Sequence, residues 1–127
     1  MSETIRVFVA TSPNGQDAES CMVLDYSIRK YASRPVHVEF MYKGSHPETT
    51  GWRTDKWATP FTCFRWCVPE LAGHQGKAIY MDSDIFVLRD IAELYDLEVP
   101  DGKWCLGKMA QRLCVSLWDC ERAVWKL

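Results

Sequence analysis

Residues 78–88 read Ala-Ile-Tyr-Met, then Asp82-Ser83-Asp84, then Ile-Phe-Val-Leu. An acidic tripeptide set between two apolar runs constrains this chain more than any other feature. Each run is strand-sized, and a solvated turn is rarely framed by apolar residues on both sides. In an extended chain the side chains alternate, so Asp82 and Asp84 are expected on one side and Ser83 on the other. Two carboxylates so placed repel each other, and beside apolar runs they need a compensating cation. Mg²⁺ and Mn²⁺ take oxygen ligands, commonly one or two carboxylates with phosphate oxygens and water. The carboxyl end of a strand is also where open α/β sheets bind ligands. The tripeptide therefore points to a metal–phosphate site. The plainer alternative is a pair of turn aspartates capping nearby amides.

The surrounding elements are those of an α/β protein. Ile5-Arg6-Val7-Phe8-Val9-Ala10 reads as a buried strand, closed by the turn signal Thr11-Ser12-Pro13-Asn14-Gly15. Cys21, Leu24, Ile28 and Tyr31 recur at helical spacing, with Asp17 as N-cap. Ser33-Arg34-Pro35 breaks that helix, and residues 36–42 alternate like a second strand. A β–α–β opening starts a parallel sheet. Residues 43–58 form a long polar loop. Thr59-Pro60 then starts a helix whose apolar face is Phe61, Phe64, Val68 and Leu71, with Pro69 kinking or shortening it before Gly73. Lys77 to Met81 is the strand that enters the acidic tripeptide. Residues 90–96 form a short helix, residues 104–106 a further strand, and the tail from Leu113 a strand followed by a helix.

Composition narrows the function. The chain has 127 residues, enough for one domain spanning 1–127. Fifteen Lys and Arg against seventeen Asp and Glu give a net charge of −2, which lacks the basic footprint of a nucleic-acid binder. No apolar run is long enough to cross a membrane, and the start has no basic n-region or apolar h-region of a signal peptide. A cytoplasmic location is expected, with the six cysteines as reduced thiols mostly in the core. Cys63 and Cys67 are one helical turn apart, but no CxxC or histidine pair supports zinc. Of the six tryptophans, Trp52 and Trp57 lie in the long polar loop and are candidates for a substrate lid, and Lys56 there is a candidate phosphate contact.

The block from Lys77 to Leu94, KAIYMDSDIFVLRDIAEL, resembles the D-x-D block of GT-A-type glycosyltransferases, and is most similar to glycosyltransferase family 8. In that family an apolar strand enters D-x-D, and an apolar run leads on to a "D-I-x-x-L" helix. Phe64-Arg65-Trp66-Cys67-Val68-Pro69-Glu70-Leu71 is similar to the family's helix with a basic residue and "I-P-E-L". Val7-Phe8-Val9-Ala10-Thr11, with Ser27-Ile28 in the next helix, looks like its first β–α unit. The resemblance covers roughly residues 5–107. It implies a GT-A (nucleotide-diphospho-sugar transferase) Rossmann-like sandwich with a mostly parallel central sheet. It also implies retaining transfer of a hexose from a nucleotide sugar, UDP in most of the family.

By position, the resemblance assigns Asp82 and Asp84 to Mn²⁺ or Mg²⁺ bridging the donor diphosphate. Asp82 and Ser83 would also lie near the ribose or donor sugar, Ser83 through its backbone. Ala10 and Thr11 would contact the nucleobase, and Arg65 the sugar or diphosphate. In such a site the cation and Arg65 take up charge on the leaving nucleoside diphosphate. No residue is assigned as catalytic. The acceptor, whether saccharide, lipid-linked glycan or protein, is left open, as is the oligomeric state, an oligomer included.

Two departures bear on the function. The family's third metal ligand is a downstream histidine, whereas His37, His46 and His74 all precede the acidic tripeptide. The family's "N-x-G" signature is replaced by Gln111-Arg112-Leu113-Cys114 before Val115. The acceptor-binding part is therefore expected to be short or missing, as in a chain truncated at the C-terminus with an incomplete fold, one completed by a partner, or one that binds donor without efficient transfer. Two alternatives to an enzyme of this family follow. One is a non-catalytic or partner-completed nucleotide-sugar-binding module. The other is a haloacid-dehalogenase-like phosphatase, a weaker reading because two β-elements precede the motif and Phe86 stands two residues after it.

Overall fold

A computed structural model describes residues 3–12, 15–42, 45–46, 62–107 and 115–123. The β-branched run of the N-terminus is strand β1 (Ile5–Ala10), followed by helix α1 (Ala18–Tyr31) and strand β2 (Val36–Met41). A 3-10 helix (Thr62–Cys67) leads into helix α2 (Val68–Leu71) and strand β3 (Lys77–Asp82). Helix α3 (Ala92–Tyr95) and strands β4 (Cys105–Gly107) and β5 (Val115–Asp119) complete the described elements.

The five strands form one mixed sheet in the order β2-β1-β3-β5-β4. β1 pairs in parallel with both β2 and β3, in a register that sets Ala10 beside Met41 on one side and Asp82 on the other. β5 runs antiparallel to β3 and to β4. The carboxyl ends of three parallel strands therefore meet on one edge of the molecule.

Alternation along β1 and β3 divides the core in two. Ile5, Val7 and Val9 of β1, with Ile79 and Met81 of β3, pack against Leu24 and Ile28 of α1 and Tyr95 of α3. Phe8, Ala10, Ala78 and Tyr80 face the other way, onto Cys67, Val68 and Trp118. Both central strands are buried on both faces, as a near-continuous apolar run requires. A fully buried Ile79 alone contributes about 1.5–3 kcal/mol over an exposed one.

Several local expectations change. The helix expected from Thr59 is a 3-10 turn followed by one short α-turn, among the residues described there. Pro69 sits at the start of that α-turn, where its missing N–H costs nothing, and not inside a longer kinked helix. Tyr31 was expected on the apolar face of α1, but it is exposed; Ser27 is buried there, donating to the Leu24 carbonyl. Residues 120–122 after β5 form a turn, and the rest of the expected C-terminal helix, residues 124–127, lies outside the described residues. Trp52, Lys56 and Trp57 likewise lie outside them. Cys21, Cys105 and Cys120 are free thiols, and burial pushes Cys105 up to about 11 and Cys120 up to about 12.

Candidate functional site at the carboxyl ends of the parallel strands

The acidic tripeptide straddles the end of β3. Asp82 is the last strand residue, while Ser83 and Asp84 form a turn. Asp82 continues the alternation of Tyr80 and lies on the α2 side of the sheet. The Tyr80 hydroxyl donates to Asp82 Oδ1 at 2.7 Å. Arg65, held by the 3-10 helix, brings Nη2 to 3.5 Å from the same oxygen and stacks its guanidinium 5.3 Å from the centre of the Tyr80 ring. The Asp82 side chain keeps 24% of its exposure, so the pair is half-open to ligand.

Ser83 points to the opposite side, as alternation demands. It is buried, and its hydroxyl donates to Asp17 Oδ2 at 2.9 Å. Asp84 departs from the expected pattern. The strand ends before it, so the period-two rule no longer applies, and Asp84 is not carried to the face of Asp82 by strand geometry. It is exposed in the turn and lines a shallow groove with Glu19, Ser20 and Val23 of α1. The two carboxylates thus flank the end of β3 instead of standing side by side on one strand face.

Ala10 and Thr11 end the neighbouring strand. Ala10 is buried between Met41 and Asp82 in the ladder, so its side chain belongs to the core. The Thr11 amide donates to the Met41 carbonyl at 2.9 Å, extending the pairing by one residue. The Thr11 hydroxyl donates to Asp17 Oδ1 at 2.7 Å. All five residues singled out as donor contacts, with Asp84, are therefore gathered at one end of the sheet.

Asp17 was expected to cap α1, and it does not: its side chain makes no capping hydrogen bond. Its carboxylate turns away from the helix and accepts from Thr11, from the Ser12 amide at 3.2 Å, and from Ser83. Burial pushes the Asp17 carboxyl up, but the hydrogen bonds from Thr11, Ser83 and Ser12 outweigh it and leave the group below the ordinary aspartate value. An Asx residue before a helix reads as a cap, and nothing local announces a partner 66 residues away. The nearby hydroxyl pair Thr11-Ser12 was the one available hint.

The donor set suits a hard cation. Asp82 and Asp84 offer carboxylate oxygens at a half-open strand end, the ligand type that Mg²⁺ and Mn²⁺ use together with phosphate oxygens and water. Among the described residues no group of three or more His, Cys, Asp or Glu side chains is assembled for a metal.

The sequence profile described as Glycosyl transferase family 8 matches residues 14–122. No curated protein matches the chain by sequence. Among solved structures, the galactosyltransferase LgtC with donor and acceptor sugar analogues superposes with a TM-score of 0.68 at 13% identity, over 93% of this chain and 59% of that one. The apo glycosyltransferase GlyE of Streptococcus pneumoniae TIGR4 gives 0.67 at 15% identity, over 94% of this chain and 35% of GlyE. The apo bifunctional glycosyltransferase WbbM gives 0.64 at 18% identity, over 83% of this chain and 23% of WbbM. At these identities the superpositions establish the GT-A-like fold. The chain spans less than two thirds of each of these structures.

Proposed function

The chain belongs to glycosyl transferase family 8, and from that premise we propose that it holds a nucleotide-sugar donor, a UDP-sugar, at the carboxyl ends of β1 and β3. In this reading residues 1–127 are a single donor-binding domain. The reaction is retaining transfer of a hexose to a saccharide, lipid-linked glycan or protein acceptor. The observation that carries the reading is the gathering of Ala10, Thr11, Arg65, Asp82, Ser83 and Asp84 at one sheet end. It includes a guanidinium 3.5 Å from a half-exposed carboxylate.

The chain's own residues have separable tasks. Thr11 and the end of β1 border the nucleobase. Ser83 presents backbone to the ribose while its hydroxyl is committed to Asp17. Asp82 and Asp84 are the residues that would hold Mn²⁺ or Mg²⁺, an ion that would supply Lewis acidity to the diphosphate oxygens. Arg65, kept in place by Tyr80 and Asp82, offers a preorganised positive group to the departing diphosphate. Membership of this family displaces the phosphatase alternative. The cytoplasmic placement stays part of the proposal.

A non-catalytic or partner-completed binding module is the second reading, favoured by the separate surroundings of the two carboxylates, Asp82 beside Tyr80 and Arg65 and Asp84 in the groove against α1. Calorimetric titration of UDP with Mn²⁺, repeated without metal, tests the shared premise. Metal-dependent binding is expected, and equal binding without metal rejects it. Hydrolysis or transfer from UDP-sugars then separates the readings: turnover selects the enzyme, and binding without turnover selects the module.

A further inference from the structure

Asp17 joins three stretches of chain that meet at the site. Its Oδ1 accepts from the Thr11 hydroxyl at 2.7 Å, its Oδ2 accepts from the Ser83 hydroxyl at 2.9 Å, and the Ser12 amide lies 3.2 Å from both oxygens. Thr11 and Ser83 are themselves buried, each 8% exposed. A carboxylate in this position could have capped α1; instead every one of these donors belongs to a strand end. Two of them belong to the segment after β1, and the third to the turn after β3.

We propose that Asp17 is the positioning residue of the donor site, acting as a hydrogen-bond clamp that sets the Thr11-Ser12 segment and the Ser83-Asp84 turn at one spacing before donor binds. The inference rests on the donor reading above. Its logic is preorganisation: a diphosphate nucleotide that must touch both segments binds more tightly when they are already held at the right separation. The clamp works through shape and not through negative charge. An asparagine keeps Oδ1 as acceptor for Thr11 and Ser12, and its amide can donate to the Ser83 oxygen, whose hydroxyl both gives and takes hydrogen bonds. Alanine removes all of these bonds.

The test is UDP binding with Mn²⁺ by calorimetry, with amide hydrogen exchange of the ligand-free protein as a second readout. Asp17→Ala is expected to weaken UDP binding about tenfold or more and to speed exchange in residues 83–86. Asp17→Asn is expected to stay within about threefold of wild type on both. Asp17→Ala and Ser83→Ala together are expected to be little worse than Asp17→Ala alone, because the two remove one shared bond. If Asp17→Ala does not fold, Ser83→Ala serves alone: faster exchange at 83–86 and severalfold weaker UDP binding are expected, and unchanged values overturn the proposal. A folded Asp17→Ala that binds UDP like wild type, with or without a lower melting temperature, overturns it and leaves a loop staple. Equal losses in Asp17→Ala and Asp17→Asn overturn the clamp in favour of a charge effect. Wild-type protein that does not bind UDP overturns the donor reading, and this inference with it.

Discussion

The two ends of β3 are both rich in charge and use it in opposite ways. At the amino end, beside Glu3 and Asp119, cations turn into backbone carbonyls. Arg6 donates to the carbonyls of Ala72, Gln75 and Lys77, and Lys77 Nζ donates to that of Tyr95. Arg122, just past β5, donates to Val99, Pro100 and Lys103. These groups close loops onto the sheet, and their donors are spent on backbone carbonyls. At the carboxyl end the charges are carboxylates that accept from hydroxyls, an amide and one guanidinium, and Asp84 remains exposed. A carboxylate has about four acceptor positions, so one or two hydrogen bonds leave it able to take a cation. Charge by itself therefore does not mark the site; unfilled hydrogen-bonding capacity on a half-open edge does.

Four variants break or sharpen this contrast. The largest effect is expected from Arg6→Met, which strips donors from three carbonyls and should lower unfolding free energy by about 2–3 kcal/mol. Urea denaturation measures it, and UDP affinity of the folded variant should not move. Asp84→Asn is the mirror image, with at least about tenfold weaker Mn²⁺-dependent UDP binding, or about 1.4 kcal/mol, and an unchanged urea midpoint. Tyr80→Phe removes the hydroxyl on Asp82 but keeps the ring under Arg65, and should cost about 1 kcal/mol of stability with a severalfold loss of UDP affinity. The smallest effect is a pH dependence. The Asp17 carboxyl lies below the ordinary value of 3.8, so its contribution is complete above that pH and disappears as pH falls through the lower folded value. Melting temperatures across acid pH should show wild type above Asp17→Asn at neutrality, with the gap closing below pH 3.8.

Strands β1 and β3 could be read from the sequence because both are buried on both faces, which leaves uninterrupted apolar runs. α1 announced itself through Leu24 and Ile28. The site was visible as far as the motif and its flanks, because acidic residues between apolar runs are costly unless used. What could not be read depended on distant partners. Asp17 looks like any cap until Ser83 arrives from the end of the neighbouring strand, 66 residues on. The facing of Asp84 hung on whether β3 stops at Asp82 or runs two residues longer, and no local propensity decides that. The helix expected from Thr59 was judged by apolar spacing, which does not distinguish a 3-10 turn from an α-turn over so few residues.

Trp118 is fully buried, with Trp104 stacked on it at 5.1 Å and Trp66 edge-on at 5.7 Å. Trp66 is the next residue after Arg65, so this ring is fastened to the segment that carries the candidate phosphate contact. Indoles packed this closely share their excited states, and the sign and size of the resulting near-ultraviolet circular dichroism depend on the angles between them. A shift of the Arg65 segment re-aims Trp66 against a fixed Trp118–Trp104 pair. Near-ultraviolet circular dichroism would therefore report, without a label, any movement of that segment when UDP is added.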